Sequence, residues 1–233
     1  MKKNWKEAIT KAIFISFIIP LAFIIYKIIV APTTNPENIE GVRVKADYIL
    51  MLSQCFLGIV AMIVPSKFFE KKKIEIPSNI YFLYVLFLYA AIFLGEVRNF
   101  YYRIPFWDLI LHAFSGAMLG VLGFSFVNLL NKSDRIHVDL APIFVAIFAF
   151  CFAVTLGVVW EVYEFFADGI LGLNMQKFAL ENGTQLVGRK ALANTMGDLI
   201  VDGLGAFVMS LIGYISLKYK KGWLEKLLIK IKK

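Results

Sequence analysis

Six long apolar runs constrain this chain more than any other feature of its sequence. They cover about 9–31, 48–65, 79–96, 106–130, 141–171 and 196–217, and each reaches the roughly 17–25 residues that a helix needs to cross a bilayer. Hydrophobic residues make up 59% of the 233 residues and the mean hydropathy is +0.71, which is more apolar surface than a soluble core of this size can bury. We therefore predict an all-α polytopic integral membrane protein with six transmembrane helices, a membrane domain over 1–217 and a tail over 218–233.

The prolines fit these six spans. Pro65, Pro77, Pro105 and Pro142 lie at the ends of runs, where a missing N–H does least harm to a helix. Pro20 lies inside the first run and is expected to kink it. The basic start of the chain also resembles a signal peptide, but the apolar run behind it is too long and lacks a small-residue cleavage site. We expect a retained first helix.

The basic residues divide unequally between the two sets of connections. The N-terminus, the second and fourth connections and the tail carry 17 of the 25 lysines and arginines, whereas the first, third and fifth connections carry seven. The positive-inside rule therefore predicts that both termini are cytoplasmic. The net charge of +8 needs no nucleic-acid partner, because this topology and attraction to anionic lipid account for it.

The tail is basic and amphipathic. Its apolar residues would share one face of a helix: Trp223, Leu224, Leu227, Leu228 and Ile231. We expect such a helix to lie on the inner surface of the membrane.

Polar residues at helical spacing mark the fourth, fifth and sixth runs. Each set lies on one helix face: Asp108, His112 and Ser115; Glu161, Glu164 and Asp168; Asn194, Asp198 and Asp202. One acid at the centre of a membrane helix costs roughly 2.5–3.5 kcal/mol, so four or five facing lipid would cost on the order of 10 kcal/mol. We expect the three faces to converge in a protein-lined cavity in the outer half of the membrane, where crowded carboxylates share protons or bind cations.

Several of these residues also have ordinary structural interpretations. Asp108 and Asp168 are near helix ends, where an acid can simply be interfacial. A single histidine such as His112 is more often a packing residue than a ligand, and Ser115 alone would be an interhelical hydrogen-bonder.

As a set, the residues favour a divalent cation, since carboxylates with one imidazole suit Mg²⁺, Mn²⁺, Ca²⁺ or Zn²⁺. The candidate metal ligands are His112, Glu164, Asp198 and Asp108, with Asp108 either joining the site or orienting His112 by a hydrogen bond. The candidate catalytic residues are Glu161 and Asp202, and the candidate substrate-binding residues are Ser115, Arg189 and Asn194. The fifth connection, with "ENGTQLVGRK" near its middle, is the predicted lid or substrate platform.

These motifs resemble the YjdF-like family of bacterial inner-membrane proteins, a family without an established activity. The resemblance covers about 100 residues of the C-terminal half and rests on four short motifs: Asp108/His112/Gly116, Glu161/Glu164, Thr184/Gln185 and Asn194/Asp198. Asn194 stands where that family usually has an aspartate. The chain is similar, more loosely, to VanZ-like proteins, through Arg189 and Asp198. The resemblance implies a multi-pass protein of the bacterial cytoplasmic membrane.

Three function classes stay open on this sequence. The favoured one is a divalent-metal-dependent hydrolase or transferase acting on a lipid-linked or extracytoplasmic substrate. A proton- or cation-coupled transporter would use the same carboxylates, although the cytoplasmic halves of the last three runs are almost free of ionisable groups. In the third class the polar faces are structural and the protein is not catalytic. Membrane lipid is the expected partner.

Overall fold

The computed structural model describes residues 5–34, 42–131 and 140–231 of the chain. The helices are α1 (Trp5–Val30), α2 (Lys45–Lys71), α3 (Ser78–Leu88), α4 (Phe100–Arg103), α5 (Trp107–Asn131), α6 (Pro142–Leu171) and α7 (Arg189–Lys218). A π-helix, Tyr89–Val97, continues α3, and a 3-10 helix, Leu224–Lys226, follows α7. Two short antiparallel strands, β1 (Ile74–Glu75) and β2 (Lys230–Ile231), pair with each other.

Within the part of the chain that the structure describes, six helical segments are long and apolar enough to cross a membrane. They are α1, α2, α3 with its π-helix, α5, α6 and α7, and their mean hydropathies range from 1.8 to 2.6. Large apolar side chains are exposed along them; Ile19 and Ile170 are 71% and 76% exposed. Such extensive apolar surface is expected of helices that contact lipid. The predicted all-α fold with six spans is confirmed.

Two helices extend beyond the predicted spans. Pro65 lies inside α2, which continues to Lys71, rather than at a helix end. Membrane helices tolerate an internal proline because neighbouring groups satisfy the freed carbonyl. The last helix begins at Arg189, because Gly188, at φ +62°, ends the preceding loop. The apolar run in the sequence starts only near residue 196, since the first turns of α7 are polar.

The tail is not the predicted amphipathic helix. Lys220 and Gly222 have φ values of +51° and +70°, which stop helical continuation just after α7. The chain then packs Leu224 and Leu228, both buried, into a core beside Phe124. Non-local strand pairing and burial thus override the helical spacing of the tail's apolar residues.

The chain forms two compact units. The first comprises Met1–Ile63, Val85–Asp108 and Glu161–Gly197. Its core includes Leu50, Ala167, Leu173 and Met175. Gly58 allows a close approach elsewhere in this unit, since a Cβ there would lie 2.6 Å from Ile92.

Connections from three parts of the chain meet within the first unit. Arg43, in the first connection, donates hydrogen bonds to the carbonyl oxygens of Glu96 and Val97 at 3.1 and 3.4 Å. Asn99, in the third connection, donates to Glu181 in the fifth at 2.5 Å. The odd-numbered connections therefore share one end of the helices, as six successive spans require.

The second unit comprises Val64–Tyr84, Leu109–Trp160 and Asp198–Lys233. Its core joins Phe124 and Val127 of α5 to Val145 and Ala149 of α6 and to Leu224 of the tail. The tail is also held by polar contacts: the Ile229 N–H donates to Ser125 Oγ at 3.1 Å, and Asn128 Nδ2 donates to the Ile229 carbonyl at 3.1 Å.

Six basic residues used for the orientation lie outside the described residues: Lys2, Lys3, Lys132, Arg135, Lys232 and Lys233. The side of the membrane on which the termini lie is therefore still a prediction from charge.

Candidate functional site

Glycines bring α5 and α7 into backbone contact within the second unit. A Cβ on Gly116 would overlap the carbonyl oxygen of Asp202, and a Cβ on Gly205 would overlap that of Ala113. Small residues at such positions let membrane helices approach closely enough for their polar side chains to meet. The same close packing extends to α6, where a Cβ on Gly157 would lie 2.9 Å from Asp202 Oδ2.

At this contact Asp202 binds two side chains of α5. His112 Nδ1 lies 3.0 Å from Asp202 Oδ2, and Ser115 Oγ donates to Asp202 Oδ1 at 2.8 Å. His112 and Asp202 are only 8% and 3% exposed, so the pair lies in a low-dielectric environment where such contacts are strong. A neutral imidazole that donates from Nδ1 carries its lone pair on Nε2. Asp202 therefore orients His112 with Nε2 as the nitrogen that can act as a ligand.

A His/Asp/Asp group at the start of α5 could hold a metal ion. Asp108, His112 and Asp198 each offer one ligand atom, and these atoms lie within 4.8 Å of one another. Asp108 precedes His112 by one turn of the same helix, and Asp198 precedes Asp202 by one turn of α7. An imidazole with two carboxylates is a donor set found at Zn²⁺ and Mn²⁺ sites.

The fourth predicted ligand is not part of this group. Among the described residues Glu164 is absent from it, although the side chain is buried and only 8% exposed. Glu164 belongs to the first unit with the other acidic residues of α6. Its ligand role stays a prediction.

Asp168 serves a different purpose from the one predicted for its helix face. Both of its oxygens accept backbone N–H groups of the following loop, from Met175 at 2.7 Å and from Gln176 at 3.0 Å. The carboxylate thus folds the start of the fifth connection back onto the end of α6. This is a structural role, in keeping with the interpretation of Asp168 as a residue of the helix end.

Gln176 links this loop to Glu161 and α7. Its Nε2 lies 3.3 Å from Glu161 Oε2 and 3.0 Å from Thr195 Oγ1. Glu161 is only 4% exposed, so an amide donor at this point stabilises its carboxylate. Gln176 had no role in the sequence interpretation, and its position in a loop offered no periodic signal.

The predicted substrate-binding residues are placed in three different settings. Ser115 supports Asp202, as described above. Asn194 donates to Asp108 Oδ2 at 3.4 Å, and its own Oδ1 is buried and accepts no hydrogen bond from the described residues. Arg189 is exposed at the first position of α7. Their roles toward a substrate stay predictions.

Lys177 is a further polar residue of the first unit, which the sequence analysis counted only as a basic residue of a connection. Its Nζ lies 4.9 Å from the ring centres of both Tyr101 and Tyr102, as cation–π contacts require. Burial lowers the pKa of the Lys177 ammonium, but Tyr102, Glu96 and other nearby acidic groups more than offset this, so its pKa lies above the usual 10.5. Lys177, which is half-buried, is therefore a cation that lies near acidic groups.

The fifth connection is an ordered turn at its "NGT" sequence. The Thr184 N–H donates to Asn182 Oδ1 at 3.0 Å, Gly183 has a φ of +85°, and Ala179 pairs with Gln185 as an isolated bridge. Asn174 also donates to the Ala179 carbonyl at 2.7 Å. Whether this loop covers a substrate is still a prediction.

Comparison with known proteins places the chain in a family. Residues 11–219 match the family described as predicted membrane protein (DUF2238). An uncharacterized protein of Thermotoga maritima is 36% identical over 145 residues, which are 62% of this chain and 62% of that relative. No solved structure matches the chain. Because the match covers most of its length, this chain belongs to the DUF2238 family of predicted membrane proteins.

Proposed function

We propose that this membrane protein is a divalent-metal-dependent hydrolase or transferase acting on a lipid-linked or extracytoplasmic substrate. The observation that carries the proposal is the group of Asp108, His112 and Asp198, whose ligand atoms lie within 4.8 Å of one another. Buried acids in membrane helices are costly and are kept mainly where they serve a function.

Asp202 supports a metal site rather than a chance cluster. Metal-bound histidines commonly donate their second ring nitrogen to a carboxylate, which fixes the tautomer and the ring orientation. The 3.0 Å contact between His112 Nδ1 and Asp202 Oδ2 has this form, and Ser115 holds the second oxygen of Asp202. In the proposal Asp202 is thus a positioning residue.

The bound ion and the remaining residues have the following proposed roles in the reaction. A divalent ion bound by the three ligands would supply Lewis-acid polarisation of a phosphoryl or ester oxygen, with Zn²⁺ and Mn²⁺ fitting the mixed donors better than Mg²⁺ or Ca²⁺. Glu161 is the proposed general base, and Arg189 the proposed partner of an anionic head group. Glu164 is retained as an additional ligand candidate.

The location of the site is also a proposal. With both termini in the cytoplasm, the first turns of α5 and α7 lie on the outer side of a bacterial plasma membrane, and the protein is a YjdF-like member of its family. Reporter fusions after Leu130 and after Gly183 would read inside and outside respectively. An exported reporter at Leu130 would reverse the orientation and place the site on the cytoplasmic side.

Metal binding tests the enzyme proposal. Detergent-purified protein stripped with a chelator should melt at a higher temperature with Zn²⁺ or Mn²⁺, because a ligand of the native state stabilises it by mass action. Elemental analysis before stripping should show a divalent ion. Asp198→Asn and His112→Gln should remove the response, whereas Asp168→Asn, a carboxylate bound to loop backbone, should keep it. The proposal fails if no ion is found and no ion shifts the melting of the parent protein.

A non-catalytic protein with structural polar faces is the second candidate. Asp168 and Lys177 favour it, since the carboxylate of Asp168 holds a loop and nearby acidic groups raise the pKa of the Lys177 ammonium. Under this alternative Asp198→Asn would melt at or above the temperature of the parent protein, and added divalent ions would change neither.

A further inference from the structure

A cavity of about 240 Å³ lies in the first unit, where the first, third and fifth connections meet. Six residues line it: Arg43, Val97, Arg98, Asn99, Arg103 and Glu181. Sites for drug-sized ligands are typically about 300–1,000 Å³, so this cavity suits a smaller group. None of its lining residues belongs to the proposed metal site.

The cavity carries excess positive charge. Arginine is always protonated at physiological pH, so the lining residues carry three positive charges and one carboxylate. Like charges gathered around a small volume repel one another, and an anion placed between them would remove that repulsion. The lone acid, Glu181, is already bound by Asn99 Nδ2 at 2.5 Å.

Arg43 has a structural explanation for its position. Its guanidinium donates to the last carbonyls of the π-helix, those of Glu96 and Val97, and also lies 3.4 Å from Met51 Sδ. A cation at the negative end of a helix is favourable without any ligand. Arg43 therefore lines the cavity, but its position is explained by these contacts and is not evidence for a bound ligand.

Arg98 and Arg103 lack such an explanation. Both are exposed, and within residues 5–34, 42–131 and 140–231 no ion pair or side-chain hydrogen bond involves either guanidinium. They are brought to one cavity by the turn at Asn99, whose φ of +66° is uncommon for a residue other than glycine. The Asn99 carbonyl then accepts the N–H groups of Tyr102 and Arg103, which starts α4 at once and returns Arg103 toward Arg98.

We propose that this cavity binds a phosphate group, either free phosphate monoester or the phosphorylated head group of a lipid. Guanidinium groups bind phosphate oxygens through paired charge-assisted hydrogen bonds, and two of them match the double negative charge of a monoester. The site is separate from metal binding and does not depend on it. It adds an anion-binding function on the side of the membrane where the odd-numbered connections lie.

The test uses the full chain after chelator treatment, so that its result is independent of the metal site. In detergent, millimolar inorganic phosphate or glycerol phosphate should raise the melting temperature saturably beyond sodium chloride of equal ionic strength. The double variant Arg98→Gln/Arg103→Gln should weaken this response at least tenfold. Lys190→Gln is the control for lost charge, because Lys190 is exposed but does not line the cavity.

A second arm identifies the source of the phosphate. Nanodiscs containing phosphatidic acid should stabilise the parent protein more than nanodiscs of phosphatidylcholine if a lipid head group is the occupant, and the double variant should lose that difference. A response to soluble phosphate alone would assign a free ligand. The inference is overturned if neither arm gives a response, or if the double variant and Lys190→Gln respond alike. The melting temperature of each variant without ligand shows that it is folded.

Discussion

Asp168 and Asp202 are both buried carboxylates on long apolar helices, yet they bind different kinds of group. Asp168 accepts two backbone N–H groups seven and eight residues further along the chain. Asp202 instead meets the side chains of His112 and Ser115, 90 and 87 residues away. The position of Asp168 is accounted for by these local backbone contacts. A carboxylate that fixes the orientation of an imidazole, as Asp202 does, is the arrangement that the proposed ligand role of His112 would require.

The largest expected effect tests the close helix contact on which the Asp202 region depends. Gly205→Leu would force a side chain into the Ala113 carbonyl, and we expect it to destabilise the protein by about 3 kcal/mol. Gly203→Leu, two residues away, meets nothing within 4 Å and should be nearly neutral. Thermal melting in detergent measures both. Equal melting temperatures would show that the contact of α5 with α7 is looser than described.

Replacing each aspartate by asparagine tests the difference between Asp168 and Asp202 directly. In Asp168→Asn the amide can offer only one acceptor, so a backbone N–H of Met175 or Gln176 loses its partner, at a cost of about 1–3 kcal/mol. In Asp202→Asn the imidazole can change tautomer and accept at Nδ1, so stability should change by less than about 1 kcal/mol. The proton then lies on Nε2, and metal affinity should fall about 10–100-fold.

Melting and metal titration of both amide variants check these opposite patterns. The comparison breaks down if Asp202→Asn binds metal like the parent protein. It also breaks down if Asp168→Asn is as stable as the parent, since its two backbone contacts would then contribute little.

The smallest effect concerns Lys177 at alkaline pH. Its pKa is raised in the folded state, so its stabilising contribution is complete below the ordinary value of 10.5 and is lost as pH rises through the folded pKa. Burial raises the pKa of Tyr102 above 10.0, which gives the same sign. We expect Lys177→Met to lower stability at neutral pH by about 0.5–1 kcal/mol, as lost cation–π contacts do.

The pH profile separates Lys177 from an ordinary surface lysine. The melting temperature of the parent protein should fall above about pH 10.5, and that of Lys177→Met should fall less steeply. Lys190→Met, which removes an exposed lysine, should follow the parent. A steeper decline in Lys177→Met would show that the ammonium does not stabilise the fold.

Helix number was predictable because run length and hydropathy are local properties, and the bilayer accepts few other structures. Helical spacing singled out Asp202, but its contact with His112 depends on which helices pack together, and Gly116 and Gly205 allow α5 and α7 to do so. Lys177 was overlooked because a loop residue has no periodic signal. The prediction of a helical tail was wrong because the tail's structure also depends on a distant partner. Ile231 pairs with Ile74, which lies 157 positions earlier and is beyond any local sequence pattern.

That strand pairing has a consequence for biosynthesis. Residues 224–231 leave the ribosome after all six spanning segments, yet they supply part of the core around Phe124 and the partners of Ser125 and Asn128. The second unit is therefore complete only when translation has passed the last helix, and until then a hydroxyl and an amide at the end of α5 await their backbone partners. Before the tail docks, the apolar surface around Phe124 lacks the cover of Leu224 and Leu228, and exposed apolar surface of this kind is prone to misassembly.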